Sequence, residues 1–125
     1  MIVLDSSALI AYFKFEKGDT VVGGLLKQST GISCVNLAET LIIFKFYHFP
    51  GDEITSQLSS LKLEVIDCSK EIALIAAEIT HPKNMFLSLG DRICLATAIS
   101  KKCPILTADS SWEKLKLPIE VISIR

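Results

Sequence analysis

The sequence predicts an α/β fold in which helices cover both faces of a mostly parallel sheet. Short apolar runs alternate with helical patterns along the chain, and these runs lie too far apart to pair as hairpins. Half of the residues are apolar. A chain of 125 residues is also long enough to bury a core between the layers of such a fold.

The predicted elements follow one another without a repeat, a linker or a low-complexity segment. Apolar runs predict five strands, at residues 2–5, 32–35, 63–67, 104–108 and 119–124. Helical spacing and stop signals predict six helices, at residues 6–15, 19–28, 36–48, 52–61, 70–80 and 91–102, and a short helical turn at 110–116. We therefore expect a single domain over residues 1–125.

Composition and charge exclude several classes of protein. The net charge of −1 lacks the electrostatic footprint of a general nucleic-acid binder. Uncharged apolar runs stay short of the roughly 18 residues that span a bilayer, and the first residues lack the basic segment of a signal peptide. We expect a cytoplasmic protein that does not associate with membranes. The mean hydropathy of +0.45 indicates a core plus an apolar surface that a partner covers.

The cysteines and histidines form no recognisable disulfide or zinc pattern. Cys34, Cys68, Cys94 and Cys103 include no C-x-x-C pair and lie among apolar or small residues. We expect them to be buried free thiols in a reducing compartment. Both histidines lie far from any pair of ligands, which argues against zinc.

Four acidic residues fall where a parallel sheet would bring them to one edge: Asp5, Glu39, Asp91 and Asp109. Two of them close strand-like runs and two lie in the first turn of predicted helices. Because the helices that follow parallel strands begin at the carboxyl edge, where ligands bind, we expect the four side chains to converge. A carboxylate cluster takes up protons or holds a hard divalent cation, and all-oxygen ligands favour Mg²⁺ or Mn²⁺.

Each acid also has a purely structural explanation, because carboxylates cap helix N-termini. Asn36 and Glu39 have the spacing of a capping box in which Asn36 is the cap. The three aspartates could each cap the helix or turn that follows. Asp67 ends a predicted strand as well but lies outside the candidate set, so a strand-end acid alone is not sufficient evidence for a site.

The four acids lie in four motifs that occur in order along almost the whole chain. The motifs are Ile2-Val3-Leu4-Asp5-Ser6-Ser7-Ala8-Leu9, Val35-Asn36-Leu37-Ala38-Glu39, Leu87-Ser88-Leu89-Gly90-Asp91-Arg92-Ile93-Cys94-Leu95-Ala96 and Leu106-Thr107-Ala108-Asp109-Ser110-Ser111-Trp112. In number and order they resemble the motifs of the PIN-domain nucleases, and in particular those of the VapC-like toxin ribonucleases of type II toxin–antitoxin systems.

The resemblance implies a three-layer α/β/α domain with a five-stranded parallel sheet, in which the strands that end in the first and last acid are neighbours. It implies a Mg²⁺- or Mn²⁺-dependent endoribonuclease that cuts RNA to leave a 5′-phosphate and a 3′-hydroxyl. The catalytic, metal-binding residues that it implies are Asp5, Glu39, Asp91 and Asp109. The residues that it implies in support of them are Ser7, Asn36 and Thr107.

The resemblance also implies a cognate antitoxin as a partner. The predicted helix 36–48 is apolar nearly all round, so we expect it to be buried on more than one side. It could be covered by the core, by a second copy in a homodimer, by an antitoxin helix or by stacked bases. Arg92 is expected to be an exposed helix arginine, or else a source of positive charge beside Asp91.

Three other functions compete with a toxin nuclease. A PIN-domain nuclease that processes RNA without being a toxin would use the same acids. A non-catalytic PIN-like module that only binds protein should lack one or more acids, and this chain has all four. A haloacid-dehalogenase-like phosphoryl-transfer enzyme needs a second acid two residues after Asp5, where Ser7 stands.

Overall fold

A computed structural model describes residues 1–50 and 52–125, and residue 51 only by its place in a helix. Every strand pairing in its five-stranded sheet is parallel. The strands are β1 (Ile2–Leu4), β2 (Thr30–Ser33), β3 (Leu63–Ile66), β4 (Ile105–Thr107) and β5 (Val121–Ser123). In space they follow the order β3-β2-β1-β4-β5, so the chain moves outward in one direction from β1 and then returns to its other side.

Six helices connect these strands. They are α1 (Ser6–Phe13), α2 (Asp19–Leu25), α3 (Cys34–Phe46), α4 (Gly51–Ser60), α5 (Lys70–Glu78) and α6 (Leu89–Lys101), and a 3₁₀ helix (Ser110–Lys114) follows β4. The predicted three-layer α/β/α fold with a five-stranded parallel sheet is confirmed. Within the described part of the chain, each helix is too short or too polar to cross a membrane.

Alternating side chains of the two central strands divide the core in two. Val3 and Ile105 face one cluster, which α5 and α6 cover. Leu4 and Leu106 face the other, which the first four helices cover. Successive residues of a strand point to opposite faces, so strands as short as three residues supply both cores.

The register of the central strands places the first acid. Leu4 pairs with Leu106, and the Asp5 N–H continues the ladder by donating to the Leu106 carbonyl at 2.9 Å. Asp5 therefore lies beside Thr107, at the carboxyl edge and at the point where the strand order reverses. That is the position at which open α/β sheets bind ligands.

The predicted boundary between the second strand and the third helix is wrong by two residues. β2 ends at Ser33, and the Ser33 hydroxyl accepts the hydrogen bond from the Asn36 N–H at 3.0 Å. Ser33 is therefore the helix cap, and the prediction that Asn36 caps this helix is also wrong. The strand begins earlier because it contains Thr30 and Gly31, which an apolar pattern does not detect.

The core of this chain covers only one side of α3, so of the coverings predicted for this helix the core accounts for one side, and coverage by a partner stays a prediction. Phe44 is buried, but Ile42 and Phe46 are 67% and 77% exposed. Tyr47, just after the helix, is exposed too. One side of α3 therefore packs on the core while the other presents apolar side chains to solvent.

The cysteines depart in part from their predicted burial. Cys94 is buried, Cys34 and Cys103 are half-buried, and Cys68 is exposed. All four are free thiols.

Candidate active site

Asp5 is the most deeply buried acid at the carboxyl edge of the sheet. It is only 4% exposed, and burial raises its pKa from 3.8 to about 6. Within this net shift, hydrogen bonds from Ser7 and Thr107 lower the pKa, and the negative charges of Asp91 and Glu39 contribute to raising it. Although Asp5 occupies the N-cap position of α1, its carboxylate makes no capping hydrogen bond. Helix capping therefore does not explain why an aspartate occupies this position.

Two hydroxyl groups orient the Asp5 carboxylate. Ser7 Oγ donates to Oδ2 at 2.6 Å, and Thr107 Oγ1 donates to the same oxygen at 3.0 Å. Each hydroxyl also accepts a backbone N–H, from Ala108 and Asp109 respectively, at 3.0 Å. Because each hydroxyl is held by the chain after β4, the Asp5 side chain has a fixed direction.

Glu39 is held from the other side by Asn36. The fully buried Asn36 amide donates from Nδ2 to Glu39 Oε1 at 2.7 Å and to the Gly90 carbonyl at 3.0 Å. Its Oδ1 accepts the Ser33 hydroxyl. Asn36 therefore joins α3 to the start of α6 and fixes one oxygen of Glu39.

Asp91 lies in the first turn of α6 but does not cap it in the way that the sequence suggested. Ser88 is the N-cap, and Asp91 Oδ2 accepts the Ser88 N–H at 2.9 Å while the Asp91 N–H donates to Ser88 Oγ at 3.1 Å. Asp91 is thus the acidic member of a reciprocal capping box. This arrangement holds the half-buried carboxylate at the end of the helix that faces Asp5.

Asp109 differs from the other acids because it is exposed and acts as a helix cap. Its Oδ1 accepts the Ser111 N–H at 3.0 Å and the Ser111 hydroxyl at 2.5 Å. The sequence-based alternative of a capping role is therefore present in the structure. The structure connects Asp109 to Asp5 through Thr107, which contacts the Asp109 backbone and the Asp5 carboxylate.

Arg92 does not supply charge to these acids, and the prediction that it is an exposed helix arginine is wrong. Its Nη1 donates to the Ala76 and Ile79 carbonyls at 3.0 and 2.9 Å, so it ties the end of α5 to α6. In the part of the chain that the structure describes, salt bridges join only Glu16 to Lys14 and Arg125. The negative charge of the carboxylate cluster is therefore not offset by a protein cation.

The donor chemistry fits a hard divalent cation. Asp5, Glu39 and Asp91 offer only oxygen, and the uncompensated charge around a buried carboxylate favours Mg²⁺ or Mn²⁺. Across residues 1–50 and 52–125, no three acidic, histidine or cysteine side chains already converge in metal-binding geometry. The half-buried carboxylates of Glu39 and Asp91 would have to turn toward Asp5 to share an ion.

Three residues near the acids were missed by sequence reasoning. Ser6 Oγ lies 3.5 Å from both Asp5 Oδ1 and Glu39 Oε1, and so connects the two carboxylates. Gly90 carries the carbonyl that Asn36 contacts. Cys94 donates weakly to the Leu4 carbonyl behind the site, and burial raises the pKa of its thiol well above the usual value. All three lie inside the motifs that the sequence presented, but their residue types alone did not indicate these contacts.

Fold and site together define a doubly wound α/β domain with an acidic centre at its topological switch point. The chain belongs to the PIN-domain family, whose model matches residues 2–117. No curated protein matches the sequence significantly.

Solved structures similar to this chain include components of toxin–antitoxin systems. A toxin–antitoxin complex from Klebsiella pneumoniae aligns at 22% identity and a TM-score of 0.72, over 96% of this chain and 99% of that one. VapBC2 from Rickettsia felis, bound to a promoter DNA fragment, aligns at 20% and 0.74, over 98% of both. The Mycobacterium tuberculosis toxin VapC20, which cleaves the sarcin–ricin loop, aligns at 15% and 0.71, over 90% and 93%. At sequence identities this low, the similarity establishes only the fold.

Proposed function

We propose that this chain, acting as one domain over residues 1–125, is a metal-dependent endoribonuclease. The observation that carries the proposal is the Asp5 carboxylate. It is buried at the switch point of a PIN fold, raised in pKa to about 6 with Glu39 and Asp91 contributing, and held by two hydroxyls. A protein keeps such a destabilising group where chemistry needs it.

Asp5, Glu39 and Asp91 would hold Mg²⁺ or Mn²⁺, and Asp109 would join them after leaving its capping bonds. A bound ion would supply an activated water and stabilise the negative charge that develops on the phosphoryl oxygens. Ser7 and Thr107 keep Asp5 oriented during this step. Asn36 keeps one oxygen of Glu39 fixed, which limits how far this carboxylate has to move when an ion binds.

We further propose that the chain is the toxin of a toxin–antitoxin pair. VapC20, which is described as a toxin that cleaves the sarcin–ricin loop, shares the fold over 90% of this chain, and the similar complexes contain antitoxins. The exposed apolar side chains of α3, Ile42 and Phe46, would be covered by the antitoxin or by a second copy of the chain. Both partners are proposals that rest on this surface and on the shared fold.

The test is cleavage of a structured RNA by the purified chain in Mg²⁺ or Mn²⁺, with EDTA as the blank. Asp5→Asn should remove activity while the protein stays folded. Asp67→Asn is the matched control, because Asp67 also follows a strand but is exposed and distant in sequence from the four motifs; it should cleave like wild type. Equal activity of wild type and Asp5→Asn would exclude the proposed site, and products should carry 5′-phosphates.

Growth of a bacterial host tests the toxin assignment. Induced wild-type chain should stop growth, and the Asp5→Asn variant should not. If wild-type chain cleaves RNA in vitro but leaves growth unaffected even at high expression, a PIN-domain RNA-processing nuclease is the better assignment.

A further inference from the structure

Gly90 occupies a position at which glycine has no backbone advantage. It is the second residue of α6, it is buried, and its backbone is not in the left-handed region. Glycine is less favourable than alanine inside a helix, because it loses more conformational freedom on folding. A buried helical glycine therefore indicates that another group needs the space that a side chain would fill.

The group in that space is the Glu39 carboxylate. An ideal Cβ built on Gly90 would lie 2.6 Å from Glu39 Cδ and 2.7 Å from Oε1, closer than real Cβ atoms approach their neighbours. The carboxylate of α3 therefore rests directly on the backbone of α6. One methyl group at residue 90 would displace it.

The surrounding hydrogen bonds show that this close approach is built into the site. Asn36 Nδ2 donates to Glu39 Oε1 at 2.7 Å and to the Gly90 carbonyl at 3.0 Å. A single amide thus fastens the carboxylate and the glycine backbone to each other. If the carboxylate moves away from residue 90, it also loses the partner that orients it.

We propose that Gly90 is a positioning residue: its missing side chain leaves the space in which the Glu39 carboxylate lies, linked to Asp5 through Ser6, and so sets the affinity for a divalent cation. The part of this proposal that concerns the cation rests on the proposed function. The displacement of Glu39 does not, and it can be measured on the metal-free protein.

The first experiment is a Mn²⁺ titration of wild type, Gly90→Ala and Gly24→Ala, followed by the electron paramagnetic resonance signal of the free ion. Gly24 is the matched control, because it is also a helical glycine but has nothing within 4 Å of an added Cβ. We expect Gly90→Ala to weaken Mn²⁺ binding by about tenfold or more, and Gly24→Ala to leave it unchanged. Binding by Gly90→Ala within about twofold of wild type would overturn the proposal.

Rescue separates positioning from a general structural defect. Glu39→Asp shortens the side chain by one methylene and makes room for the added methyl. If the two residues compete for one space, the loss in Gly90→Ala/Glu39→Asp should be no greater than in the worse single variant. Losses that multiply would show independent effects and contradict the proposal.

The second experiment measures thermal unfolding in EDTA and needs neither metal nor RNA. In a Glu39→Ala background, where the carboxylate is absent, Gly90→Ala should raise Tm by a few degrees, and we expect Gly24→Ala to do the same in wild type. With Glu39 present, Gly90→Ala should gain nothing or lower Tm. The same Tm shift in both backgrounds would overturn the proposal, whereas failure of the proposed function would appear as wild-type protein that binds no Mn²⁺.

Discussion

The same three residues, Asp-Ser-Ser, follow the two neighbouring strands β1 and β4, and their carboxylates have different surroundings. In both copies the second serine donates its hydroxyl to the aspartate, at 2.6 Å from Ser7 to Asp5 and at 2.5 Å from Ser111 to Asp109. In the first copy the carboxylate is buried and makes no cap, whereas in the second it is exposed and caps a 3₁₀ helix.

The difference arises from what covers each copy. Glu39 of α3 and Asp91 of α6 act electrostatically on Asp5, and burial raises its pKa to about 6. The segment after β4 instead turns directly into the 3₁₀ helix, where the Ser111 N–H and hydroxyl both donate to one oxygen of the Asp109 carboxylate. Local sequence thus determines the serine–aspartate hydrogen bond, while distant elements determine whether the carboxylate is available for chemistry.

The largest difference between Asp5 and Asp109 should appear in RNA cleavage when each is replaced by asparagine. Asp5→Asn is expected to reduce RNA cleavage by at least about a hundredfold, because it removes the central charge of the metal site. Asp109→Asn should reduce RNA cleavage less, by about tenfold. Asparagine caps a helix as well as aspartate does, so this substitution removes only the charge of the exposed carboxylate. The two variants are compared in one cleavage assay at saturating Mn²⁺, after circular dichroism has shown both folded. A larger loss in Asp109→Asn would mean that Asp109 leaves its cap and is the main ligand.

The pH dependence of the unfolding free energy should give the next largest difference between Asp5 and Asp109. Between pH 3.8 and about 6 the folded state keeps the Asp5 proton while the unfolded state releases it, so stability falls as the pH rises through this window. The shift corresponds to about 3 kcal/mol, which ionised Asp5 costs the metal-free protein at neutral pH. Urea unfolding in EDTA should show Asp5→Asn more stable than wild type at neutral pH, and the difference should vanish near about pH 4.

Asp109→Asn is the control for that measurement, because it leaves Asp5 in place and should keep the wild-type dependence on pH. The informative quantity is the difference in unfolding free energy between each variant and wild type at each pH. An Asp5→Asn variant that follows the wild-type curve at every pH would contradict the raised pKa.

Most of the fold could be predicted from the sequence because the hydrophobic pattern and the chain order determine it. Strands that alternate with helices cannot pair as hairpins, so a parallel sheet follows. The errors lie where polar residues carry the structure, as in β2, where Thr30 is buried and Ser33 both ends the strand and caps α3. An apolar pattern contains no information about such residues.

The site could be predicted only in part, for a related reason. The location of Asp5, Glu39 and Asp91 near one edge of the sheet follows from topology, since Asp5 follows β1, Glu39 lies in the second turn of α3 and Asp91 lies in the first turn of α6. The contact between Glu39 and Gly90 joins residues 51 positions apart, and no local rule relates them. The exposure of Phe46 could not be predicted from the sequence either, because an apolar helix face has the same residue pattern whether the core or a partner covers it.

Replacing Ser7 or Ser111 by alanine should give the smallest difference between the two copies. The comparison separates the effect of the local serine–aspartate hydrogen bond from the effect of the distant elements that bury Asp5. Ser7 donates to Asp5 and accepts the Ala108 N–H, so Ser7→Ala leaves a backbone donor unpaired and should cost about 1–3 kcal/mol of unfolding free energy. It should also raise the pKa of Asp5 further, because the Ser7 hydrogen bond lowers it.

Ser111→Ala is the matched change in the second copy. Asp109 keeps its bond from the Ser111 N–H and lies in solvent, so the cost should stay below about 0.5 kcal/mol. Urea unfolding of both variants in EDTA at neutral pH measures the two costs. Equal costs would mean that each serine contributes the same free energy of unfolding in the two copies. The burial of Asp5 and the contact of Ser7 with the chain after β4 would then add nothing to the cost.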